Sequence, residues 1–141
     1  MQEIKFDDAI DRIRARDPRY PRDAYLFVRE ALDFTQKLIS RENRGLVRHV
    51  TGQELLQGIR KFAIEQFGPM AATVLDEWSI KECQDFGNIV FNMVEIGLLA
   101  RTDKDSREDF ENAYDFTEAF RKPFLPEAKA MERHPVAAPK K

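Results

Sequence analysis

The apolar residues of this chain recur at intervals of three and four, which is the spacing of one face of an α-helix. This pattern predicts a first helix at residues 5–16 and a central second helix from Asp23 to Ser40, with two prolines between them. Residues 41–50 are mainly charged and contain a glycine, so they are expected to form a loop.

The start of the third helix carries a distinct signal. Thr51 and Glu54 have the T-x-x-E spacing of a capping box, in which each side chain pairs with the backbone N–H of the other residue. The helix that begins there is predicted to stop at Gly68, and Pro69 suits the first turn of a further short helix that extends to Trp78.

A longer helix follows Lys81, with apolar residues from Phe86 to Leu98 that match the helical template throughout. Its polar side consists of Asp85, Asn88, Asn92 and Glu95. We expect this side to face solvent.

The segment after this helix has the pattern of a hairpin. Two short strands, Leu98–Thr102 and Tyr114–Phe116, are predicted on either side of a charged loop, Asp103–Glu111. Ser106 with Asp109 has the spacing of a helix cap, so a turn of helix is the alternative here.

Together these elements predict a mostly α, formally α+β, protein. Residues 1–122 form a single helical domain, and the Pro-rich residues 123–141 form a flexible tail. The order of helix, tight turn, helix, third helix and hairpin over residues 51–117 resembles a winged helix, with the hairpin as the wing. That resemblance implies either binding of duplex nucleic acid through the third helix or a role in protein interaction.

Five runs of the sequence resemble a second group of proteins. These runs are Ala24–Val28, His49–Leu56, Gln66–Pro69, Asp85–Phe91 and Ser106–Phe110. They are similar to an uncharacterised family of small proteins from planctomycetes and verrucomicrobia, over about residues 20–121. The resemblance implies no activity and no site residue.

The composition of the chain limits the class of protein and the compartment that we expect. With 141 residues and 43% hydrophobic content, the chain can bury one ordinary core, which argues against wholesale disorder. The single cysteine, Cys83, cannot form an intrachain disulfide, and no apolar run has the length of a signal or membrane segment. We therefore expect a soluble cytoplasmic protein without membrane contact.

Few residues are candidates for catalysis or metal binding. The thiol and imidazole inventory is Cys83, His49 and His134, without the spacing of a zinc site. The acidic segment that starts at Asp103 fails the EF-hand pattern, because Glu108 stands where glycine is needed and Tyr114 where a bidentate glutamate belongs. Neighbouring acidic residues favour an inert thiol at Cys83. We predict no catalytic residue, metal site or cofactor.

Charge disfavours nucleic acid as the partner. Residues 51–122 carry 8 Lys and Arg against 14 Asp and Glu, and an acidic surface repels phosphates. If phosphate is bound, the candidate contacts are Arg12, Arg16, Arg19, Arg44 and Arg48.

These observations favour a non-catalytic protein-interaction or regulatory module that binds another protein or itself. The aromatic residues outside the clearest apolar stripes, together with the acidic face, suit a basic or amphipathic partner. The predicted interaction surface consists of Asn88, Phe91, Asn92, Glu95, Arg107 and Phe110. A nucleic-acid-binding winged-helix protein and a small enzyme of unrecognised type are the alternatives.

Overall fold

The structure is a computed structural model that describes residues 5–42, 44, 50–99, 107–111 and 113–125. Its five α-helices are α1 (Phe6–Arg16), α2 (Arg22–Glu42), α3 (Gly52–Phe67), α4 (Ala71–Glu77) and α5 (Cys83–Glu95). Shorter 3₁₀ turns lie at Gly68–Met70, Arg107–Phe110 and Lys122–Phe124, and a π turn lies at Thr117–Arg121. None of the described helices combines the length and apolar character needed to cross a membrane.

The helix predictions are confirmed, most sharply at the ends of α3. The Glu54 N–H donates to the Thr51 hydroxyl at 3.1 Å, and the Thr51 N–H donates to the Glu54 carboxylate at 3.0 Å, which completes the capping box. At the other end, Gly68 has a φ of 53°, and its N–H donates to the Ile64 carbonyl. A positive φ favours glycine, so the helix stops where the sequence predicts.

The central packing unit is the antiparallel pair of α2 and α3. The two helices come close together at Gly58, where a Cβ atom would stand 1.7 Å from the Thr35 hydroxyl oxygen. Thr35 is buried and satisfies its hydroxyl by donating to the Ala31 carbonyl at 2.7 Å. The absence of a side chain at residue 58 therefore sets the distance between the two helices.

The predicted C-terminal hairpin is wrong, because the described residues contain no β-strand. Leu98 and Leu99, predicted to start the first strand, instead close the end of α5. Gly97 has a φ of 89°, and the Leu98 N–H donates to the Met93 carbonyl at 2.9 Å. Residues 100–106, which include the rest of that strand and part of the loop, lie outside the described residues.

The segment predicted to hold the second strand packs across α3 and α5. The Tyr114 hydroxyl donates to the Leu56 carbonyl at 2.8 Å, and the Cys83 thiol donates to the Tyr114 carbonyl at 3.4 Å. Just before it, the turn Arg107–Phe110 is helical, as the alternative interpretation predicted. A wing is therefore not formed by these residues, and the winged-helix prediction is corrected to an all-helical arrangement over the described part of the chain.

The N-terminal helix completes the packing around α5. Its buried residues, Ala9, Ile10 and Ile13, form one apolar face that joins the common core. The chain described here is thus one helical body through Leu125, while most of the segment predicted as a tail, residues 126–141, lies outside the described residues.

Candidate functional site

The polar side of α5, predicted to face solvent, contacts the turn between α1 and α2. The Tyr20 hydroxyl donates to the Asp85 carboxylate at 2.6 Å and accepts from the Asn88 amide at 3.0 Å. Asp85 also accepts from the Lys81 and Glu82 backbone N–H groups, so it caps α5 as well. Tyr20 is 1% exposed, and its burial explains why these polar groups turn inward.

Asn92 continues this contact one turn further along α5. Its amide donates to the Asp17 carboxylate and to the Tyr25 hydroxyl, each at 3.0 Å, and the side chain is 8% exposed. Glu95 lies at the edge and forms a half-exposed ion pair with Arg16 at 3.5 Å. Asn88, Asn92 and Glu95 therefore hold the N-terminal part of the fold in place rather than forming an open recognition face.

Arg19, a candidate phosphate contact, is already paired. Its guanidinium donates two hydrogen bonds to the Asp17 carboxylate, at 2.8 and 2.7 Å. These bonds, helped by the Asn92 amide and opposed by burial, hold the pKa of Asp17 well below its usual value, while the pKa of Arg19 is raised.

The remaining candidate arginines do not form a common phosphate site in the described structure. Arg12 lies exposed on α1, and Arg44 lies exposed in a turn with a positive φ of 58°. Arg48 lies outside the described residues. Arg16 is engaged with Glu95.

The two phenylalanines of the predicted interaction surface pack on each other. Phe91 is half-buried and meets Phe110 edge to face, with ring centroids 5.8 Å apart. Phe110 is 2% exposed, which corrects its prediction as a surface residue. Arg107 is the first residue of the 3₁₀ turn that ends at Phe110.

All three tyrosines of the chain are held in the neutral form. Burial, with the hydrogen bond to Asp85, raises the pKa of Tyr20 to about 12, against an ordinary value of 10.0. Burial also raises the pKa of Tyr25 and of Tyr114. Above the ordinary pKa, the native state therefore binds more protons than the unfolded state, and its stability falls as pH rises.

We expect an alkaline titration to show this directly. Between about pH 10 and 11, native protein should give less tyrosinate absorbance than the unfolded chain, and unfolding in urea at the same pH should increase this absorbance. The free energy of unfolding should decrease over that range. Full tyrosinate absorbance in folded protein at pH 10.5 would show that the tyrosines are not buried in this way.

Another part of the surface presents aromatic side chains. The rings of Phe34, Phe62, Phe27 and Trp78 follow one another across α2, α3 and the end of α4, with successive centroids 5.2, 5.4 and 5.4 Å apart. Phe67 joins Phe27 at 5.6 Å and Trp78 at 5.9 Å. We call these five residues the aromatic strip.

The aromatic strip is only partly covered by the rest of the protein. Phe27 is 4% exposed and anchors the strip in the core, whereas the other four rings are half-buried. Met70, three residues after Phe67, is 56% exposed. The apolar pattern of the sequence places all five residues on the apolar faces of their helices. Helical periodicity alone does not show that these residues form the edges of three faces that meet at the surface.

The chain matches no known family model, curated protein or solved structure.

A cavity of about 460 Å³ lies beside Cys83, between the start of α5 and Tyr114. The thiol is buried, and burial, followed by the charge of Glu82, raises its pKa above the ordinary value, while hydrogen bonds with the Ala113 and Tyr114 backbone oppose this. A protonated thiol is a poor nucleophile, which agrees with the predicted effect of its acidic neighbour. In the described part of the chain, no three His, Cys, Asp or Glu side chains come together as a metal site would require.

Proposed function

We propose that this chain is a non-catalytic protein-interaction module and that it binds an amphipathic helix of another protein on the aromatic strip. The observation that carries the proposal is a group of four half-buried rings, Phe34, Phe62, Phe67 and Trp78, that are linked by ring contacts with one another and with the buried Phe27. Aromatic residues dominate the binding energy of many interfaces, because they offer a large apolar area with few rotatable bonds.

A helical partner suits the shape of the strip. The half-buried rings of Phe34, Phe62, Phe67 and Trp78 come from α2, α3 and the residue after α4, whereas Phe27 is buried. The apolar face of an amphipathic helix presents several side chains in each turn and can contact rings from more than one helix at once.

The engaged residues of α5 weaken the two alternative functions. A recognition helix needs free polar side chains toward the bases, but Asn88 and Asn92 donate to Tyr20, Asp17 and Tyr25. An enzyme needs an activated group, whereas the pKa shifts of Cys83 and the three tyrosines keep these groups protonated.

Trp78 is the single tryptophan of the chain, so its fluorescence reports on the strip without a label. The probe is a Trp-free amphipathic helical peptide with an apolar leucine face and a neutral glutamine face. We expect a saturable change of Trp78 emission, with a dissociation constant in the range of about 1 to 100 μM. No saturable change up to about 1 mM peptide would contradict the proposal.

Two matched variants locate the binding. Phe34→Gln removes a half-buried ring of the strip, and Phe91→Gln removes a half-buried ring of α5 outside it. After circular dichroism shows that both remain folded, Phe34→Gln should weaken peptide binding roughly tenfold, and Phe91→Gln should leave it unchanged. Equal effects of the two variants would place the binding site elsewhere.

A further inference from the structure

Four exposed carboxylates beside the aromatic strip form no ion pair with the residues that the structure describes. Asp23 and Glu30 lie one turn before and one turn after Phe27 on α2, Glu65 follows Phe62 by three residues on α3, and Glu77 precedes Trp78. All four residues are exposed, and none forms an ion pair with another residue in the described ranges.

Two neighbouring carboxylates, Asp33 and Asp76, differ in this respect. Asp76 pairs with Lys81 at 2.5 Å, and Asp33 pairs with Lys37 at 3.1 Å. Exposed carboxylates without an ion pair also lie elsewhere in the described ranges, at Asp8, Asp11, Glu42 and Glu111, so the position of the four carboxylates beside the strip is what bears on a partner. Charges at a rim guide the approach of a partner and select its sign.

Near Phe34 and Phe62 the charges are mixed, because the exposed Glu42 follows Arg41 and Glu65 lies one turn after Lys61. Arg41 lies two turns after Phe34 on α2, and Lys61 precedes Phe62 on α3. Asp23, Glu30 and Glu77 thus lie at the Phe27 and Trp78 end of the strip, whereas Lys61 and Glu65 lie on either side of Phe62 in the sequence. A helix with basic residues beside its apolar face complements that end.

From this arrangement we propose that the partner is a basic amphipathic helix, with lysine or arginine side chains that face Asp23, Glu30, Glu65 and Glu77. This inference rests on the proposed function, because it requires that the strip bind a helix. It adds the charge of the partner, which the aromatic rings alone do not specify. The expected interaction combines ring burial at the centre with charge pairing at the rim.

Three peptides with the same leucine face and with lysine, glutamine or glutamate on the polar face test the inference through Trp78 emission. At low salt, the lysine peptide should bind about tenfold more tightly than the glutamate peptide, with the glutamine peptide between them. The difference should shrink as salt is raised to about 1 M, because salt screens exposed charges.

A double variant, Glu30→Gln with Glu77→Gln, separates rim recognition from general attraction to an acidic protein. It should weaken binding of the lysine peptide about threefold and leave the glutamine peptide unchanged. The control is Asp11→Asn with Glu111→Gln, which removes two exposed charges from α1 and from the segment after Phe110. The control should leave the affinity for the glutamine peptide unchanged. Its affinity for the lysine peptide should fall at low salt only by the small amount that the change in net charge of the protein explains.

The outcomes distinguish the two proposals. If the glutamine peptide binds but the lysine and glutamate peptides bind equally, the helix-binding function stands and the charge inference fails. If both double variants weaken the lysine peptide equally, the inference also fails, because the rim carboxylates then have no special role. If no peptide binds, or if Trp78 emission instead depends on protein concentration because a second copy covers the strip, both proposals fail.

Discussion

Replacement of Gly58 by alanine is expected to destabilise the native state by about 3 kcal/mol, a loss at the upper end for an added methyl group. The new Cβ would stand 1.7 Å from the Thr35 hydroxyl oxygen and 2.8 Å from its Cβ atom. Both positions lie inside helices, so α2 and α3 must separate to relieve the clash. Urea unfolding at neutral pH measures the change in free energy.

Two controls isolate the steric cause. Gln57→Ala makes a change on the exposed neighbour in α3, where we expect an effect within about 0.5 kcal/mol. Thr35→Ala in the Gly58→Ala background removes the hydroxyl and methyl groups that clash and should recover part of the lost stability. Simple addition of the two single losses would show that residues 35 and 58 do not meet.

Phe110→Ala is expected to cost about 3 kcal/mol of stability, as for other large-to-small changes in a core. The ring is 2% exposed, and a Cβ added at Gly52 or Gly87 would approach Phe110 to 3.0 or 2.8 Å. Removal of the ring leaves a cavity between the start of α3 and α5. Thermal and urea unfolding of the variant measure the loss of stability.

Two variants of Phe110 distinguish its role in the core from the role on the interaction surface that the sequence predicted. Phe110→Leu keeps most of the volume and should cost clearly less than Phe110→Ala. Under conditions where both variants are folded, binding of the glutamine peptide should be unchanged. A variant with normal stability and lost binding would restore Phe110 to the interaction surface.

The local rules of the sequence predicted the helices well. Thr51 and Glu54 specify the start of α3 through two hydrogen bonds, and Gly68 specifies its end through a backbone angle that few other residues adopt. Such signals depend on residues close together in the chain. They therefore needed no knowledge of the tertiary structure.

The C-terminal segment was mispredicted because tertiary contacts decide its path. Tyr114 and Phe116 fit a strand by propensity, but the Tyr114 hydroxyl bonds to α3 and the Phe116 ring packs 5.7 Å from Phe86. Phe110 likewise fits against Gly52 and Gly87, which are 35 residues apart in the sequence. Such tertiary contacts override the preference of these residues for a strand.

The polar side of α5 shows a second limit of prediction from the sequence. Helical periodicity separates apolar from polar positions and treats every polar side as exposed. Asn88 and Asn92 are polar, yet they face Tyr20 and Tyr25, whose hydroxyl groups need partners when the rings are buried. The aromatic strip was not predicted for the opposite reason. Each of its rings belongs to an apolar face of a helix, and helical periodicity treats every apolar face as buried.

The central claim is that partners bind at the aromatic strip and not at the polar side of α5. Nuclear magnetic resonance during titration with the lysine peptide tests it most directly, through the indole signal of Trp78 and the side-chain amide signals of Asn88 and Asn92. We predict that the Trp78 signal shifts with saturation while the two amide signals stay in place. Shifts of the Asn88 and Asn92 amides with an unchanged Trp78 signal would contradict the account.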